Sequence, residues 1–377
     1  MSGVVFEQEI CRLTGEGKLG QALEMVAGMI DREQETPRYY EIYGDLLESR
    51  GDLKEALVAF SRASELDSHN PDYLYREAEI QLMLYNVGEA IDLCRRGRRK
   101  FPGDYRFVMV EADAWLWSIP VKKLAGDDRQ DALDRAWKLL NHAISLKPEN
   151  GEIRVVEATA YLQEQNLTRC RGAFENALNY GVEIFGDYVD VCLCLAILYI
   201  RTGNLERGEK YIDLALDYFW KWKQPHYLKL MLFGEHLLML REVYFDKFDS
   251  HDEMMDKIYR EYQDMINRGF RVHFLSREIR QGVLEFFKLR RGNDPGKATE
   301  ILEQLLTLFD GKLPLCIIFH TIKQPSLKTL FHIYLGDMYR RLGRSEEARS
   351  QYRKALDISP GDPAARARLR ETDPIPA

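Results

Sequence analysis

The sequence predicts an all-α chain, a solenoid of antiparallel helix pairs. Three observations carry that prediction. Ala22, Ala56 and Ala90 follow one another at 34-residue intervals, the length of a two-helix repeat. Ala56, Phe60 and Ala63 stand at i, i+4 and i+7, which puts them on one helical face. No stretch of useful length alternates apolar and polar residues as a half-buried strand would.

Each part of the second pair has a physical reason. Gly44 leaves room for a neighbouring helix, and Phe60 fills the space between the small Ala56 and Ala63. Gly51 and Gly343 can take positive φ where a helix ends. Asp52 and Ser345 are then expected to cap the helices that follow. Near the other end Gly336, Ala348, Tyr352 and Ala355 keep the same spacing, and Pro360 stops the helix. One pair cannot bury its apolar face alone, so stacked copies are required.

The second helices are anchored by Ala22, Ala56, Ala90, Ala136, Cys170, Gly208, Ala298 and Ala348. Ala136 lies 46 residues after Ala90, one period plus an insertion of 12 read as the segment 118–130 between two helices. Between Gly208 and Ala298 the spacing fails, and 254–266 is expected to supply the second helix of a degenerate pair. The reading gives about nine pairs, the seventh and eighth degenerate. It divides the chain into 1–217, a regular array; 218–325, divergent; and 326–377, a last pair with a capping helix and a frayed tail.

The segments "YYEIYGDLLESRGDLKEALVAFSRASELDSHNP" and "HIYLGDMYRRLGRSEEARSQYRKALDISPGDP" resemble the tetratricopeptide repeat (TPR) family along their full length. The resemblance implies a right-handed superhelix whose first helices line a groove for a protein or peptide segment. It is strong over 1–217 and 326–363 and weak over 218–325.

Composition narrows the function. The chain has 377 residues, 45% apolar content and a net charge of −7, with acids and bases interspersed. Nucleic-acid footprints are usually basic, so nucleic acid is not the expected partner. The six cysteines show no framework spacing, which suits reduced thiols in a cytoplasmic protein. The N-terminus lacks a basic stretch followed by an apolar core, and "YLKLMLFGEHLLML" is too short and too charged to span a membrane. Nothing fixes the oligomeric state.

Catalytic chemistry is not expected. Gly15, Gly17 and Gly20 match G-x-G-x-x-G, but a helix precedes them instead of a strand, so a turn between helices is expected. The histidines lack metal-site spacing, and no nucleophile elbow or phosphate loop occurs. His142 and His332 are read as structural, and Cys170 as a buried small residue. No cofactor or metal is expected.

Function therefore falls to the first-helix positions that the resemblance places on the groove. These are Arg38, Glu41, Asp45 and Glu48; then Asp72, Tyr75, Arg76 and Glu79; then Arg106, Met109, Asp113, Leu116 and Trp117. Leu162, with Val155 and Thr159, and Ile197, with Leu193 and Ile200, follow. Read as exposed, they form a groove that runs from acidic to apolar. Glu41, Asp45 and Glu48 at i, i+4 and i+7 cost the helix about 0.2–0.5 kcal/mol per like-charge pair. They suit a basic partner segment, or a solvated face neutralised by the i, i+3 pairs Arg38–Glu41 and Arg76–Glu79. Family members that clamp a ligand carboxylate use lysine, asparagine and arginine where this chain has Glu41, Asp45 and Glu79, so that function is not carried over. The run Arg95, Arg96, Arg98, Arg99 and Lys100 suits a helix C-terminus, and less well a phosphate or nucleic-acid patch. The aromatics between Tyr218 and Phe248 are read as core before contact surface. The chain is thus read as a scaffold or adaptor. The alternative is a sensor whose 218–325 region binds a small ligand or a second subunit.

Overall fold

The structure, a computed structural model, describes residues 3–16, 18–33, 35–182, 185–221, 228–245, 294–310 and 324–372, with the isolated positions 260, 282, 285, 286 and 289. Those residues are helical or in turns, with no strand among them. They form two compact units, one up to 182 and one from 185 onward. That division precedes the change in sequence character at 218. The expected second helix at 254–266 lies outside the described residues, as do Trp222, Phe248 and the segment 311–323.

The first unit is five successive helix pairs. They are α1 (Gly3–Gly15) with α2 (Leu19–Ile30), α3 (Pro37–Arg50) with α4 (Leu53–Leu66), and α5 (Pro71–Met83) with α6 (Val87–Lys100). Then come α7 (Tyr105–Val121) with α8 (Gly126–Leu146), and α9 (Gly151–Gln163) with α10 (Leu167–Tyr180). Each helix packs on the next, and α7 also touches α5 and α9, so the first helices stack side by side. The second unit holds α11 (Phe185–Arg201), α12 (Leu205–Lys221), α13 (Leu228–Phe245) and α14 (Pro295–Asp310). It ends with α15 (Gln324–Arg341), α16 (Ser345–Ile358) and α17 (Pro363–Thr372).

The small residues at period 34 are the buried contacts of the stack. Ala22, Ala56, Ala90, Ala136, Cys170, Ala298 and Ala348 are fully buried. Burial pushes the Cys170 thiol above its ordinary pKa, as a packing residue should behave. A Cβ on Gly44 would stand 2.8 Å from the Phe60 ring, and one on Gly336 would stand 2.4 Å from Tyr352. In both pairs an aromatic of the second helix sits where the first helix has no side chain. Gly15 ends α1 and Gly20 stands in the first turn of α2, so the glycine-rich match is a helix junction.

Three local expectations need correction. Asp52 occupies the N-cap position of α4 but makes no capping hydrogen bond; its buried carboxylate pairs with Arg50 instead. Ser345 is already inside α16, and the N-cap residue Arg344 reaches Glu347 at 3.0 Å. The insertion read at 118–130 is mostly helix, since α7 runs on through Pro120 and α8 starts at Gly126. Pro120 removes one backbone hydrogen bond, to the carbonyl of Leu116, a turn before α7 ends, and Asp127 and Asp128 suit the N-terminus of α8.

One turn position recurs with left-handed backbone. It is glycine at Gly51 (φ 90°), Gly203 (φ 78°) and Gly343 (φ 73°), but Tyr85 (φ 65°) and Gln165 (φ 59°) elsewhere. A residue with a Cβ pays about 1–2 kcal/mol there. Gln165 is exposed, so Gln165→Gly forfeits little packing. It is expected to raise stability by about 1 kcal/mol, read from the urea midpoint; an unchanged or lower midpoint contradicts the strain.

Candidate partner-binding surface

The charged positions of α3, α5 and α7 are joined across helices by three arginines. Arg38, early in α3, donates to Glu41 on its own helix at 2.8 Å and back to Glu7 of α1 at 3.0 Å. Arg76 of α5 donates to Glu79 at 2.9 Å and back to Asp45 of α3 at 3.3 Å, and it also pairs with Glu48. Arg106 of α7 donates to Asp72 of α5 at 2.7 Å and to Asp104 at 2.6 Å. Each arginine thus ties its first helix to the one before.

Aromatic rings back two of these guanidiniums. Arg76 lies 5.0 Å from the centre of the Phe60 ring, and Arg106 lies 4.8 Å from that of Tyr75. The Tyr75 hydroxyl donates to Glu79. Partial desolvation pushes the Asp45 and Glu48 carboxyls above the ordinary carboxylate range, against the pull of Arg76. Burial also disfavours the Arg76 charge, but Glu48, Glu79 and Asp45 outweigh it and hold its pKa above the ordinary value. The local pairs anticipated from i, i+3 spacing are present, and longer-range pairs are added to them. Glu41, Asp45, Glu48, Asp72 and Glu79 are each engaged by an arginine.

The apolar half of the expected groove is not exposed. Met109, Trp117, Leu162 and Ile197 are buried, and Leu116 is completely so. Thr159, Leu193 and Ile200 are buried with them. The reason is that α7 is apolar nearly all round and is packed by α5, α6, α8 and α9. Trp117 stands 5.4 Å from Tyr85, inside the stack. In the second unit α11 is buried in the same way against α12 and α13. Asp113 is half-buried on α7.

Sequence reasoning missed Glu7, Asp104 and Glu111. Glu111 is a buried carboxylate in an otherwise apolar run of α7, bonded to Arg98 at 2.6 Å and to Arg95 at 3.3 Å. Its only sequence signal was a glutamate in the largely apolar "FVMVEADAW", two residues before Asp113. Arg98, Arg99 and Lys100 do fall in the last turn of α6, as the dipole argument expects. Among the described residues no group of His, Cys, Asp and Glu could hold a metal ion, and no helix is long and apolar enough to cross a membrane.

Comparison with known proteins agrees with this architecture. Family models described as tetratricopeptide repeat match residues 329–362 and, overlapping, 11–71 and 44–105. Among solved structures, the Cut9–Hcn1 hetero-tetramer of the APC/C contains a similar chain, with a TM-score of 0.56 and 14% identity. That match covers 95% of this chain and 59% of the other. TTC0263, a TPR protein of Thermus thermophilus, matches at 21% identity and a TM-score of 0.44, over 49% of this chain and 93% of its own. The human IFIT1 dimer with PPP-AAAA matches at 14% identity and a TM-score of 0.46, over 91% and 69%. No protein of curated function matches in sequence. Residues 11–105 and 329–362 are therefore tetratricopeptide repeats by their match to the family models, and the described residues have the α-solenoid class of fold.

Proposed function

We propose that this chain is a non-catalytic scaffold or adaptor that holds a basic protein segment against α3, α5 and α7 and so assembles a complex. One observation carries the reading. Asp45 and Asp72 side chains are each 52% exposed, whereas their partners Arg76 and Arg106 are 27% exposed. Asp45 and Asp72 therefore turn outward over their guanidiniums, while Glu48 and Glu79 stay beside Arg76 beneath them. A basic segment can take the open carboxylate oxygens without dismantling the pairs beneath. In the Cut9–Hcn1 structure a chain of this fold is part of a hetero-tetramer, a use of the fold that fits the reading. A cytoplasmic setting fits the buried thiols Cys94, Cys170, Cys192 and Cys194.

The alternative is a sensor whose 218–325 region binds a small ligand or a second subunit. Most of that region lies outside the described residues; at its described edge the cavity lined by Ile197, Arg201, Tyr244 and Asp362 measures about 10 Å³, room for a single water at most.

Photo-crosslinking residues placed at Asp45 and Asp72 test the proposal, with Val58 of α4, 70% exposed, as the comparison site. In native lysate, adducts are expected from Asp45 and Asp72 and not from Val58. They are expected to fade as salt rises, because exposed charges are screened over about 8 Å at physiological ionic strength. Adducts from Val58 alone, or adducts indifferent to salt, contradict the reading.

A further inference from the structure

A second recognition site is legible away from the first-helix strip. Glu111 and Trp115 lie on the opposite face of α7 from Arg106, Met109 and Asp113, given 3.6 residues per turn. There they form part of an open pocket of about 310 Å³ between α6 and α8. Arg95 and Arg98 enter from α6, and Arg135 and Lys138 from α8. Four permanent cations thus share one pocket with a single carboxylate.

The cations are not used up by their neighbours. Glu111 is buried and takes one edge of each α6 guanidinium, Arg98 at 2.6 Å and Arg95 at 3.3 Å. A guanidinium carries five N–H donors, so both retain donors that Glu111 does not reach. The buried carboxylate therefore acts as a post that fixes the two forks. Arg135 is set on the Trp115 ring at 4.7 Å and pairs with Asp131 at 2.8 Å. Lys138 has no carboxylate partner among the described residues, and its side chain is exposed.

We infer that this pocket binds the phosphate of a phosphorylated side chain on a partner protein. A phosphate monoester carries a charge of about −1.5 to −2 at neutral pH. Glu111, Asp92 on Arg95 and Asp131 on Arg135 leave the four cations one positive charge in excess, with guanidinium donors still open to an incoming phosphate. Fixed guanidinium forks match phosphate oxygens in pairs, and an ammonium adds a point charge. The surroundings select against an extended polyanion. Asp127, Asp128, Asp131 and Asp134 stand along the N-terminal half of α8, and Asp92 is exposed on α6. A nucleic-acid backbone leaving the pocket would run over those carboxylates, whereas one phosphate on a protein chain would not.

The test uses the full chain and three fluorescent probes. They are a peptide mixture with one fixed phosphoserine among randomised neighbours, the same mixture with serine, and a thymidine oligonucleotide. The phosphoserine mixture is expected to bind about tenfold or more tightly than the serine mixture and than the oligonucleotide. Lys138→Glu leaves the Glu111 pairs intact, so the fold should hold by circular dichroism while the phosphoserine preference disappears. Equal binding of the two peptide mixtures, tighter binding of the oligonucleotide, or a preference that survives both Lys138→Glu and Arg95→Glu overturns the proposal. Crosslinks from Asp45 and Asp72 report the first-helix strip independently, so failure of one site is distinct from failure of the other.

Discussion

Phe60→Ala is expected to destabilise the first unit by about 3–5 kcal/mol, the usual cost of truncating a fully buried aromatic. Phe60 is completely buried, and its ring fills the gap left at Gly44. The flanking Ala56 and Ala63 are fully buried and too small to fill that gap. The ring also floors Arg76, which gathers Asp45, Glu48 and Glu79. The loss should therefore appear in hydrogen exchange as lowered protection of α3, α4 and α5 together. A change below about 1 kcal/mol would remove Phe60 from the packing argument, since even a modest core truncation exceeds that.

Gly151→Ala is expected to cost about 1–3 kcal/mol or more, by overpacking that side-chain motion cannot relieve. A Cβ there would stand 1.9 Å from the carbonyl oxygen of Gly181 and 2.9 Å from that of Ala177. Both are backbone atoms at the end of α10. Relief requires α9 to swing away from α10, which would pull on Asn150, whose side chain caps α9 through Ile153 at 2.9 Å. Urea denaturation measures the loss. A midpoint equal to that of the parent chain would mean that the two helices separate freely.

The repeat was legible because its physics is local and periodic. A helix contact that tolerates only a small residue recurs at a fixed interval, and Ala22, Ala56 and Ala90 state that interval openly. The candidate surface was legible only in part. Pairs such as Arg76 with Glu79 follow from helix geometry. The links from Arg76 to Asp45 and from Arg38 to Glu7 span 31 residues each and depend on how neighbouring helices rotate. Exposure of Leu116, Trp117 and Leu162 was misjudged for a related reason. A polar helix shows its outer face by contrast, whereas α7 and α11 are apolar nearly all round. The cap at Asp52 failed because a nearby Arg50 competes for the same carboxylate.

The two units also differ in how far along the chain their contacts reach. In the first, among the described residues, the main packing partners of each helix are its immediate or next neighbours. In the second, the Tyr244 hydroxyl donates to Asp362 at 2.5 Å, across 118 residues, and α13 touches both α15 and α17. Asp362 in turn caps α17 through Ala365 at 2.9 Å. During synthesis the first unit can consolidate pair by pair as each emerges from the ribosome. The second must wait, with α13 incompletely covered, until Asp362 has left the exit tunnel. A nascent chain stalled just short of Asp362 would therefore carry a finished front half and an unfinished back half. That interval is when this protein would depend most on chaperones.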